Sequence, residues 1–208
     1  MNPVFSRARM LALRALLLSA ALALAGCAST LSARVTSFQQ WPDGVAGQAY
    51  EFAPPAADQS GSLEFQAYRD MVRAAIGATG LVEARPGLPA RFRVEFQYAA
   101  KPTQVMSRQP VDPFFYGGGF YGPRWGWPGW GGYYGPDWVA VPVNAVRNSL
   151  TVQIRDLQNG NAEVYRSTAT ATTGQDALAE VMPYLVRAVF DNFPGNNGQV
   201  REVRYKLD

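Results

Sequence analysis

The strongest periodicity lies at residues 90–100, ARFRVEFQYAA, where Phe92, Val94, Phe96 and Tyr98 alternate with Arg91, Arg93, Glu95 and Gln97. A period of two sends one set to an apolar face and the other to a wet or paired face, so the stretch predicts a half-buried strand. Residues 146–157, VRNSLTVQIRDL, alternate in the same way, and Gln158-Asn159-Gly160-Asn161 separates them from AEVYRSTATAT at 162–172. Asn and Gly tolerate the positive φ of a tight turn, which makes this pair a hairpin. RVTSFQQW (34–41), AYEFAP (49–54, stopped by Pro54 and Pro55) and VREVRYKL (200–207) read as three further strands.

Two stretches change to a helical period. Tyr68, Met71, Val72, Ala75, Ile76 and Thr79 recur at helical spacing between Ser62, a fitting N-cap, and Gly80, a fitting stop. Residues 175–192 place Leu178, Val181, Met182, Leu185, Val186 and Val189 inward, with Pro183 either kinking the helix or marking its start. The order β-β-α-β-β-β-α-β predicts one α+β domain over residues 35–208. Its sheet is expected to be mostly antiparallel, with two helices packed on one face and a long Gly/aromatic-rich loop.

Ahead of the domain the pattern is that of an export signal. MNPVFSRARMLALR carries Arg7, Arg9 and Arg14 without an acid, and ALLLSAALALA follows as an uncharged run too short for a stable membrane span. Leu24-Ala25-Gly26-Cys27 resembles the lipobox of bacterial lipoproteins, in which the cysteine thiol receives a diacylglycerol before the signal is cut. Residues 1–26 then form the signal, and residues 27–34 a lipidated tether that reaches about 25 Å when extended. Cys27 is the only cysteine. Ala28 stands where an Asp would favour retention in the inner membrane, so the expected location is the outer membrane, lipid-anchored on its periplasmic side. Loss of the three signal arginines leaves equal numbers of basic and acidic residues. A nucleic-acid partner loses its main support, because phosphate binding needs a clustered basic surface.

The chain has no histidine, which excludes His/Cys zinc sites, Ser-His-Asp triads and Cys-His dyads. Carboxylate-only catalysis leaves Glu64, Asp70, Glu95, Asp156 and Glu163 as candidates, each with a plainer reading on the wet side of a helix, on the polar face of a strand, or near a turn. Gly117, Gly119 and Gly122 spell G-x-G-x-x-G, but Pro123 and further glycines follow where a dinucleotide site needs a helix. No nucleotide, metal or other cofactor is expected.

Residues 112–136, DPFFYGGGFYGPRWGWPGWGGYYGP, hold ten aromatic and nine glycine residues with only Asp112 and Arg124 charged. This reads as a low-complexity insertion between strands. It is either a loop, mobile or folded back over the bare sheet face, or a contact surface presenting Tyr116, Tyr121, Trp125, Trp127, Trp130, Tyr133 and Tyr134. Such rings suit a bilayer interface, a peptidoglycan or other sugar surface, or an envelope protein.

The lipobox, the strand through Phe38, the helix ending before Gly80, ARFRVEFQY, the Gly/Tyr/Trp insert, SLTVQIRDLQNGNAEVYRSTA and the late helix closing on Asn192-Phe193-Pro194 together resemble the DUF4136 family of bacterial lipoproteins. The resemblance implies an envelope location and a small α+β domain, and it implies no activity. The expectation is a non-enzymatic binding or assembly module. The competing class is a carboxylate-dependent envelope enzyme acting on glycan, which needs two carboxyl groups about 5–10 Å apart across a cleft.

Overall fold

The computed structural model describes residues 29–85, 87–110 and 138–207. Cys27, the signal and the seven aromatic contact candidates of the 112–136 run lie outside the described residues. The chain divides into two compact units, Ser32–Val203 and the two chain ends Met1–Leu31 and Arg204–Asp208. Within the end unit, Leu31 and Tyr205 are buried and the Leu207 N–H donates to the Ser29 carbonyl at 2.9 Å.

The elements run β1 (Thr30–Gln39), β2 (Ala49–Phe52), α1 (Leu63–Ala75) with a 3-10 turn at Ile76–Thr79, then β3 (Val82–Glu83), β4 (Phe92–Pro110) and β5 (Trp138–Asp156). β6 (Ala162–Thr173), α2 (Leu178–Phe190) and β7 (Gln199–Lys206) complete the chain. They form a seven-stranded sheet of order β3-β2-β4-β5-β6-β1-β7. β4/β5, β5/β6 and β6/β1 pair antiparallel, while the short β2 runs parallel to β3 and β4. The mixed α+β class and mostly antiparallel sheet match the sequence pattern.

The element order differs by one strand, because β3 has two residues and is too short to carry a pattern. β1 also begins at Thr30, so residues 30–34 are strand where a tether was expected. Leu31, Ala33 and Val35 all point inward there.

Register places the helix-facing rows in order. Val94, Ile154 and Tyr165 form one row, and Phe96, Val152, Ser167 and Ser37 the next. Both helices lie on this face. Phe65 of α1 stacks on Phe96 at 4.8 Å, Tyr68 meets Tyr98 edge-on at 4.8 Å, and the Tyr165 hydroxyl donates to the Val189 carbonyl of α2 at 2.6 Å.

Ser62 caps α1 by accepting the Phe65 N–H at 3.2 Å, and Gly80, at φ +79°, ends the following 3-10 turn. α2 holds Pro183 inside its span, so the proline does not mark the start. In the β5–β6 hairpin the left-handed residues are Gly160 and Asn161, one position later than the Asn-Gly reading. A bulge between Ile154 and Arg155 leaves Val164 without a cross-strand partner on β5, which lets Val164 and Tyr165 both be buried.

Candidate functional site

The feature that sets this sheet apart grows from its two longest strands. β4 and β5 remain paired from Phe92↔Asp156 out to Pro110↔Trp138, whereas β6 stops at Thr173, opposite Val146. From that row outward, residues 102–110 and 138–146 form a two-stranded ribbon. Its eight steps at about 3.4 Å carry it roughly 27 Å past the sheet. The 112–136 run belongs to the stretch of chain that joins the ribbon's two far ends.

Strand parity assigns the ribbon's faces. One face continues the polar face of the sheet and holds Thr103, Val105, Ser107 and Gln109 against Ala145, Val143, Val141 and Val139. It carries no charge. The opposite face holds Gln104, Asn144 and Arg108 together with Met106 and Trp138, which are 68% and 60% exposed. At the foot of the ribbon, on the charge-free face's side of the sheet, Lys101 lies opposite Arg147, and Arg34 lies opposite Thr170 on β6. All three bases are exposed, and none is paired with a carboxylate among the described residues. Arg34 and Arg147 line a groove of about 770 Å³ with Thr170, Thr172 and Val200. Its carboxylate, Glu202, accepts from Ser32 at 2.7 Å.

The candidate carboxylates are mostly occupied in separate places. Asp70 pairs with Arg73, which also reaches Glu83 at 2.9 Å, and Glu163 is held by Arg166 and Gln153. Asp156 is 1% exposed on the helix-facing side, where Arg91 donates to it from Nη2 at 2.8 Å and from Nε. The Arg91 guanidinium, opposed by burial and assisted by the Gln158 N–H, holds the Asp156 carboxyl below its ordinary range. It is a structural ion pair, and the plain reading of a residue near a turn missed its burial. Glu64 sits beside the hydroxyls of Tyr68 and Tyr98, where burial first and then this carboxylate push both phenols upward. Burial likewise raises Tyr50, to about 12, with Glu83 adding to it.

Glu95 is the exception. Where β2 ends and the β4 edge opens, Glu95 and Asp58 line one pocket of about 400 Å³ with the rings of Phe52, Phe65, Phe96 and Tyr98. Gln97 donates to Glu95 at 3.1 Å. Asp58 lies in a loop without periodicity, and nothing in its sequence surroundings signalled that it would join Glu95. No group of three or more His, Cys, Asp or Glu is placed to hold a metal among the described residues, and no described helix is long and apolar enough to cross a membrane.

A sheet with helices on one face, and a ribbon extending it at one end, defines the class as a small α+β domain. The family model described as a domain of unknown function, DUF4136, matches residues 34–195, and the chain belongs to that family. No curated protein matches it. Among solved structures, a PDZ domain protein from Parabacteroides distasonis is similar at 8% identity with a TM-score of 0.52. The match covers 85% of this chain but only 39% of that protein's chain, and it is a likeness of fold. Two structures of the PelC dodecamer from Paraburkholderia phytofirmans align at 12% identity with TM-scores of 0.39 and 0.37. They cover 79% and 78% of this chain and 99% of theirs.

Proposed function

We propose that this chain is a non-enzymatic cell-envelope lipoprotein, a binding or assembly module tethered through Cys27 to the outer membrane and facing the periplasm. The observation that carries the reading is the ribbon. A pair of strands that extends past its sheet, carries an aromatic-rich connection and keeps one face free of charge is suited to contact and adds little to the core. The lipobox supplies the anchor, and the family supplies no activity to set against it.

Cys27→Ser tests the anchor. The variant is expected to lose labelling by a fatty-acid probe and to accumulate as unprocessed precursor, and normal processing would sink the proposal.

The second reading, a carboxylate-dependent enzyme acting on envelope glycan, is favoured by Asp58 and Glu95 sharing one pocket. It requires the protein to release soluble fragments from peptidoglycan, and Asp58→Asn and Glu95→Gln each to abolish the release. The binding-module reading expects no fragments from the unsubstituted protein.

A further inference from the structure

We infer that the charge-free face of the β4–β5 ribbon lies flat on an anionic lipid bilayer, with Lys101, Arg147 and Arg34 against the phosphates of the headgroups. The inference rests on the anchored reading above and names the surface that the ribbon contacts.

Chain length keeps the ribbon near the membrane. β1 runs antiparallel to β6 with Ala33 opposite Ala171, and Asn148 lies opposite Ala171 on the other side. Ser32 therefore stands level with the foot of the ribbon, at the end of the sheet from which the ribbon departs. Cys27 is five residues upstream, a reach of at most about 17 Å. The ribbon projects roughly 27 Å. A lipid on Cys27 thus holds the ribbon within its own length of the bilayer.

The composition of that face then suits the surface of an anionic bilayer. Next to the ribbon this face of the sheet presents Gln97, Ser149, Thr151, Thr168 and Thr170, and further in it carries the mixed charges of Arg93, Glu95, Arg155, Glu163 and Arg166. Lys101 and Arg147 come next at the foot of the ribbon, with Arg34 one row further into the sheet beside Thr170, and the three bases are complementary to anionic headgroups. Val143, Val105, Val141 and Val139 follow without a charge. Deep insertion is excluded, because both edges of the ribbon carry backbone groups that hydrocarbon cannot satisfy. A flat docking leaves those edges among headgroups and water while the valines reach the acyl boundary.

The test uses the lipidated protein reconstituted in vesicles of phosphatidylethanolamine and phosphatidylglycerol. Val141→Cys on the docking face and Asn144→Cys on the opposite face each receive a thiol-reactive fluorophore, and Val139→Cys serves as a second probe should Val141→Cys misfold. The label at 141 is expected to be quenched by nitroxide lipids and shielded from aqueous iodide, with the reverse at 144. Arg34→Glu combined with Arg147→Glu, or phosphatidylcholine in place of phosphatidylglycerol, is expected to reduce the lipid quenching at 141. Iodide access at 141, or shielding from both quenchers as residues 111–137 or a second copy would produce, overturns the inference. So does quenching that neither the charge reversals nor the neutral lipid changes. Labelling of the protein without an added cysteine would expose a free Cys27 thiol, and that result counts against the anchored reading instead.

Discussion

Excising the ribbon is expected to leave a folded domain. Lys101 and Arg147 face each other as a backbone-bonded pair across the two strands, so an Asn-Gly turn in place of residues 102–146 closes a shorter hairpin without shifting the register. Within the described part of the excised stretch only Ala145 is buried, and losing the burial of one methyl side chain costs about 1 kcal/mol. Against that, shortening the connection from roughly 40 residues to two lowers the entropy of closing it by about 2–3 kcal/mol, part of which the stiffness of a tight turn cancels. The net change is therefore within about 2 kcal/mol of zero.

Urea unfolding of a form beginning at Ala28 measures it. The excision also provides the probe, because it removes Trp125, Trp127, Trp130 and Trp138 and leaves Trp41 as the sole tryptophan. Trp41 stacks on Phe92 at 5.7 Å and meets Phe193 edge-on at 4.7 Å, so its emission reports the core. A loss of more than about 4 kcal/mol, a large share of the stability of an ordinary domain, would refute the reasoning. It would show that the excised residues cover the sheet and belong to the core.

Two further outcomes test the packing that supports the ribbon. Tyr165→Phe removes the hydroxyl that satisfies the Val189 carbonyl in the last turn of α2, where no helical partner exists, and is expected to cost about 1–1.5 kcal/mol, read as a lower urea midpoint at unchanged slope. Asp156→Asn tests linkage. Because the folded carboxyl is held below its ordinary 3.8, its contribution is complete above that value and is lost as the pH falls through the lower folded one. The variant is expected to be less stable than the parent near neutral pH, with the gap narrowing towards about pH 3. A gap that stays constant, or widens in acid, would remove the ion pair as its cause.

The core elements were legible because their apolar positions keep one phase. Phe92, Val94 and Phe96 on β4 and Leu150, Val152 and Ile154 on β5 announce strands and face, and Ser62 announces the start of α1. Asp156 shares the phase of Ile154, so its burial was readable from parity even though its charge argued for solvent. The ribbon was not legible for the converse reason. Val139, Val141 and Val143 alternate in the phase of Arg147 and Ser149, opposite to the core, and Pro142 interrupts them. A strand followed outward from Leu150 reads as ending where its apolar set changes face. The basic cluster was hidden for a different reason, since Lys101, Arg147 and Arg34 are brought together only by register across strands far apart in the chain.

The ribbon's prolines bear on how copies of this chain can meet. Ala53 donates to the Val94 carbonyl at 2.8 Å, so even-numbered residues of β4 turn their backbone groups away from β5. Continued along the strand, that alternation directs the backbone of residues 102, 104, 106, 108 and 110 to the open edge. Pro102 and Pro110 occupy two of those positions, and Pro142, opposite Met106, occupies the matching class on the other edge. A proline has no N–H to offer a neighbouring strand. Neither margin of the ribbon presents an unbroken row of donors, so two copies that meet edge to edge cannot zip into a growing sheet, and a surface this extended stays protected from self-templating.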